Sequence, residues 1–169
     1  MRYPGIINFR GGMSRFGVVV AVAMVLLVSS AVRAVEMQDL TAQLPRGYFG
    51  EFLWDGDKVM QNVVITFESV RALNGQNAEA LGCGTYEVGR QVTRIKVRMF
   101  VRLSDLQVEI FELSPEGNGS FETGGSHRGA LSADLQRIDA AWTTTADGRR
   151  GQLHLQAASS LACAPAAST

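Results

Sequence analysis

From Gly47 to Ala157 apolar and polar residues alternate with a period of two, and short turn sequences interrupt the alternation at regular intervals. The clearest run places Ile95, Val97, Met99 and Val101 between Arg94, Lys96, Arg98, Phe100 and Arg102, which gives a strand one buried and one solvated face. Ile138, Ala140 and Trp142 alternate in the same way, and beyond Asp147-Gly148 the pattern resumes at Leu153, Leu155 and Ala157. Alternation on both sides of an Asp-Gly predicts a hairpin. Eight strands follow: Gly47–Trp54, about Val59–Ala72, Leu81–Val88, Arg94–Arg102, Leu106–Leu113, His127–Ala133, Leu135–Thr145 and Arg149–Ala157. Asp55-Gly56-Asp57, Asn74-Gly75 and Ser104-Asp105 supply turns, and Ser114–Ser126, rich in Gly and Ser, is the single long interruption. Asp55 and Asp57 lack the remaining positions of a calcium loop and read as turn residues.

Eight short-connected strands make an all-β, antiparallel up-and-down meander. Such a sheet closes into a barrel or folds into a sandwich; the closed barrel is expected here. A symmetric turn at Ser104-Asp105 sets Val101 opposite Val108 and Met99 opposite Ile110 inside, with Arg98 opposite Phe111 and Phe100 opposite Glu109 outside. The layout resembles the lipocalin and avidin barrels in strand count and meander. That resemblance implies an interior filled by side chains or holding one small ligand; it includes no shared motif, so no residue is carried over from those families.

The first 34 residues stand outside this pattern. Arg10 and Arg15 precede the uncharged run Phe16–Val32, and Val32-Arg33-Ala34 follows. A basic start, a short apolar centre and a small residue at the cut describe a secretory signal peptide cleaved after Ala34, with Met13 a second possible start. At 17 residues including two serines, the run sits at the bottom of the range that spans a bilayer. Residues 35–46 form a polar leader with at most one helical turn, residues 47–157 the β-domain, and residues 158–169 a low-complexity tail. Removing residues 1–34 takes four arginines and no acid, leaving 12 basic against 16 acidic residues and a net charge of −4. That balance argues against a nucleic-acid partner. Only Lys58 and Lys96 among the basic residues are lysine, a bias that fits a GC-rich bacterial source, and with the signal peptide a periplasmic or secreted product is expected. Two cysteines, Cys83 and Cys163, remain in the mature chain, and an even count in an exported protein predicts a disulfide. Closing a loop of about 80 residues would stabilise by roughly 4–5 kcal/mol on the chain-entropy model, and would tie down the tail.

Candidate chemistry is sparse. In an alternating meander the late residues of strands one, three, five and seven share one end, which brings Trp54, Tyr86 and Trp142 together where the Ser114–Ser126 loop departs. Parity adds Tyr48 and Phe52 to the same face as Trp54, and Met99 to the interior of strand four. These six residues, Tyr48, Phe52, Trp54, Tyr86, Met99 and Trp142, are the candidate ligand-binding set. A barrel mouth lined by aromatics is a common ligand entrance; the competing expectation is that the rings plug the core. Ser126 and His127 are adjacent and so point to opposite faces of a strand, which does not make a catalytic pair. His154 should face outward, and the ladder of Arg94, Lys96, Arg98 and Arg102 should offset Glu109 and other outward acids. The functional expectation is an exported, non-catalytic domain binding a small apolar ligand or a protein partner, without cofactor or metal. The enzyme alternative, an isomerase or lyase, requires an inward ionisable group, and parity offers Glu112 opposite Val97. A structural subunit of an envelope complex is the third alternative, suggested by outward Phe100, Phe111 and Leu113.

Overall fold

The alternating segments form eight strands: β1 Gly47–Trp54, β2 Gln61–Asn74, β3 Asn77–Val88, β4 Gln91–Arg102, β5 Gln107–Glu116, β6 Gly125–Leu131, β7 Arg137–Thr144 and β8 Arg150–Ala157. The computed structural model describes residues 40–116, 122–144 and 146–159. Each strand pairs antiparallel with its sequence neighbours, and β1 pairs with β8 from Tyr48–Ala157 to Trp54–Gly151, so the meander closes into a barrel. Closure gives every strand a neighbour on both sides, so the sheet has no edge strand.

Inward residues form one apolar core. Val63, Ile65, Val97, Met99, Val108, Ile110, Ile138, Leu153 and Leu155 are all buried. The β4–β5 register is the expected one, with Val101 opposite Val108, Met99 opposite Ile110, Arg98 opposite Phe111 and Phe100 opposite Glu109. Outward positions carry Arg98, Arg128, Asp139 and His154, which engage partners across the surface. Apolar inside and charged outside is the reverse of a membrane-spanning barrel. Among the described residues no helix is long and apolar enough to cross a membrane.

Several strand boundaries differ from the expected ones, and three of the differences have a tertiary reason. β2 starts at Gln61 because Val59 and Met60 lie outside the ladder, 58% and 49% exposed. β3 begins at Asn77, four residues before Leu81. Asn-Ala-Glu-Ala has weak strand propensity, but Ala78 and Ala80 fit the narrow interior and Glu79 is clasped outside by Arg71 and Arg98. β5 runs to Glu116, past Pro115, because it still pairs with β4 there while its ladder with β6 ends at Phe111. Proline is tolerated in such one-sided stretches.

The barrel ends are unlike. At the end where β1 begins, residues 40–43 are helical, Leu44 is buried in the core and Leu40 packs against it. The Tyr48 hydroxyl donates to the Leu135 carbonyl at 3.0 Å, and Leu103, Leu131 and Leu135 complete an apolar plug. Burial holds the Tyr48 phenol well above the usual tyrosine value. The other end, where β1, β3, β5 and β7 finish, holds a cavity among the described residues.

Candidate functional site

At the cavity end the alternation that fills the core with aliphatics delivers a different set of side chains. β1 contributes Phe52 and Trp54, β3 Tyr86, β4 Thr93, β5 Glu112, β6 His127 and β7 Trp142. They line a cavity of about 300 Å³, with Gln61, Val88, Gln91, Glu122 and Arg149 also on its wall. That volume is at the small end of the about 300–1,000 Å³ typical of ligand pockets.

The aromatic wall is a chain of edge-to-face contacts. Trp54 meets Trp142 with ring centroids 4.8 Å apart and Phe52 at 4.8 Å, while Phe52 meets Tyr86 at 5.9 Å and His127 at 5.6 Å. Such pairs add about 0.5–1.5 kcal/mol each beyond their buried area. Gly151 makes this wall possible. It pairs with Trp54 on one side and Trp142 on the other, and a Cβ there would stand 2.3 Å from Phe52 Cζ. Gly125 does the same for the far side of Trp142, where a Cβ would come 2.5 Å from the indole. Arg149 lays its guanidinium 4.0 Å over Trp54, a cation–π contact.

Beside these rings lies a buried polar cluster. The Tyr86 hydroxyl donates to Glu112 Oε1, His127 Nε2 stands 3.0 Å from the same oxygen, and His127 Nε2 and Tyr86 Oη are 3.2 Å apart. All three residues are at most 6% exposed. Burial foremost, then the negative charge of Glu112 and its hydrogen bond, holds the Tyr86 phenol well above the usual tyrosine value, so it serves as a donor. Both contacts fall on Oε1, which leaves Oε2 of a cavity-lining carboxylate for a bound molecule. His127 Nδ1 is buried with no hydrogen-bond partner. The β4–β5 ladder slips immediately beyond Glu112, from Val97–Glu112 to Lys96–Ser114. Such bulges re-aim side chains and are common next to functional sites.

Of the six candidate ligand-binding residues, four line this cavity: Phe52, Trp54, Tyr86 and Trp142. Tyr48 and Met99 do not; Tyr48 belongs to the closed end and Met99 is fully buried in the core. Glu112 points inward opposite Val97, as parity required. His127 was not anticipated. Its signal was its parity with Leu131, since His127, Gly129 and Leu131 share a face, but small residues blur the alternation of β6. Ser126 faces away and donates to Glu109 at 3.2 Å, so it shares no proton with His127. Two members of the outward ladder offset outward acids as expected, Arg98 at Glu79 and Arg102 at Asp105, but Glu109 takes Arg128 rather than a ladder residue. The reason is reach across the sheet, since Arg128 is directly opposite Glu109 on β6. His154 is exposed and pairs with Asp139 at 2.8 Å.

Cys83 lies on β3 between inward Gly82 and Gly84, facing out and half-buried, and is not a free thiol. Cys163, the tail beyond Ser159, residues 117–121 of the long loop and the leader lie outside the described residues. No protein-family model matches the chain, and no curated protein matches it.

Proposed function

We propose that this protein is exported from a bacterial cell and acts as a binding domain for a small molecule with a flat apolar body and one polar end. The observation that carries the reading is the asymmetry of the barrel. One end is plugged by Leu44, Tyr48, Leu103, Leu131 and Leu135, while the other holds a cavity of about 300 Å³ with an aromatic wall and a buried Tyr86–Glu112–His127 cluster. A core that needed only filling would place aliphatic residues at these positions; the buried polar groups there suit recognition. The purely apolar ligand expected from the aromatic residues alone is refined to an amphipathic one, because Glu112 and His127 would be left poorly partnered by hydrocarbon. Export rests on the basic start, the apolar run and Val32-Arg33-Ala34, and a Cys83–Cys163 disulfide belongs to the same proposal.

Both tryptophans of the chain line the cavity, so all tryptophan emission reports on it. Titrating the mature protein with small aromatic amphiphiles should give saturable emission changes. A folded protein whose emission is indifferent to the whole panel would refute the reading. Mass spectrometry of protein exported with its own leader should find Val35 first, and an intact leader would overturn the export proposal.

One observation favours a second reading, proton-transfer catalysis. Glu112 is an inward, buried carboxylate with an imidazole at 3.0 Å, the kind of group a general base requires. On that reading the nearly isosteric Glu112→Gln abolishes turnover without unfolding the barrel.

A further inference from the structure

The proposed binding function leaves open the chemical class of the ligand, and the cavity carries an inference about it. Three features coincide at the cavity end. Phe52, Trp54, Tyr86 and Trp142 present rings to one space, and ring faces attract cations. Glu112, 6% exposed, has both of its hydrogen-bond partners on Oε1 and an unoccupied Oε2 on the same space. Glu122 adds a second carboxylate to the wall. Besides His127, the one basic side chain among the described lining residues is Arg149, which makes no ion pair there and instead rests 4.0 Å over the Trp54 ring. The site thus already holds a cation on its aromatic rim, while the carboxylate deeper in has imidazole and phenol partners but no ammonium or guanidinium partner. A buried carboxylate is stabilised by a paired cation that also satisfies its free lone pairs.

We propose that the cavity takes an organic ammonium ion: a small molecule whose protonated primary or secondary amine donates to Glu112 Oε2 and whose apolar body lies against Trp54, Trp142 and Phe52. The inference rests on the proposed binding function and narrows it to one charge class. A carboxylate ligand would meet Glu112 and Glu122, and a neutral one would leave Oε2 without a cation.

The test compares three probes of one shape on the mature protein, followed by calorimetry and tryptophan emission: 2-phenylethylammonium, the neutral 2-phenylethanol and the anionic 3-phenylpropanoate. The ammonium should bind at least about tenfold more tightly than the alcohol, as expected for a desolvated charge pair, with no measurable binding of the anion. Glu112→Gln should erase that preference, so that the ammonium binds no more tightly than the alcohol. Arg149→Gln, which removes a competing positive charge, should tighten ammonium binding about threefold or more. Alcohol or anion binding as tightly as the ammonium would overturn the charge assignment and leave the small-molecule reading standing. Loss of affinity in Arg149→Gln would likewise overturn it. If none of the three probes binds, nor any member of the wider panel, the binding function falls with it. The probe comparison uses unsubstituted protein, so the result does not depend on either variant folding.

Discussion

Tyr86→Phe removes one oxygen and leaves the ring. The change therefore isolates the hydrogen bond at the centre of the cavity from the packing around it. The hydroxyl is buried and donates to the Glu112 carboxylate; a hydrogen bond to a charged group contributes about 1.5–3 kcal/mol, against about 0.5–1.5 kcal/mol for a neutral pair. No apolar volume is lost, so no cavity penalty is added, and the edge-on contact with Phe52 persists. The expected loss is about 2 kcal/mol. With a urea m-value near 2 kcal/mol/M, typical of small proteins, the unfolding midpoint should fall by about 1 M. The same substitution made on Glu112→Gln should cost only about 1 kcal/mol, because the acceptor is then neutral, so a double-mutant cycle should return a coupling of about 1 kcal/mol. The reasoning has a clear failure. Were the hydroxyl buried without a useful partner, deleting it would relieve a desolvation penalty. Tyr86→Phe would then be neutral or stabilising, and an unchanged or higher midpoint, or zero coupling, would refute the cluster.

Other outcomes follow from the same geometry. Trp142→Ala should destabilise by about 3 kcal/mol, the low end for a buried aromatic, because one side of the indole already borders the cavity; denaturant unfolding within 1 kcal/mol of wild type would contradict its packing against Trp54. Residues 35–169 hold two tyrosines, Tyr48 and Tyr86, both with folded values above the unfolded value near 10. Their protonated burial contributes stability that is complete below about pH 10 and is lost as pH rises through the folded values. Phenolate absorbance should consequently appear only together with alkaline unfolding, and a separate titration in still-folded protein would show one phenol to be accessible. Thiol labelling of unfolded, unreduced mature protein should find no reactive cysteine; two labelled thiols would exclude the Cys83–Cys163 bond.

Much of the site was legible because its signals are local. Trp54, Tyr86 and Trp142 end odd-numbered strands, and a meander sends all odd-numbered strands the same way, so their convergence required only strand order. Glu112 was legible through its register with Val97, which the apolar faces of β4 and β5 impose on each other. His127 was not, since Gly-Ser-His-Arg-Gly-Ala-Leu alternates too weakly to declare a face. Tyr48 and Met99 have the right parity but the wrong height, and parity carries no information about depth along a barrel.

The alternation and the turn residues determined the strands, their inward faces and their consecutive pairing, because burial on one face of a period-two element leaves a single workable register for each hairpin. Closure and everything that depends on it were decided in three dimensions. Trp54 and Trp142 have five strands between them in sequence and meet only because β1 and β8 pair, with Gly151 standing between them without a side chain. The early start of β3 needed Arg71 and Arg98 from its two neighbours to hold Glu79. His127 reaches Glu112 diagonally, since its direct opposite is Ile110. Each of these contacts joins residues whose local sequence carries no trace of the other, and only the shared barrel interior brings them together.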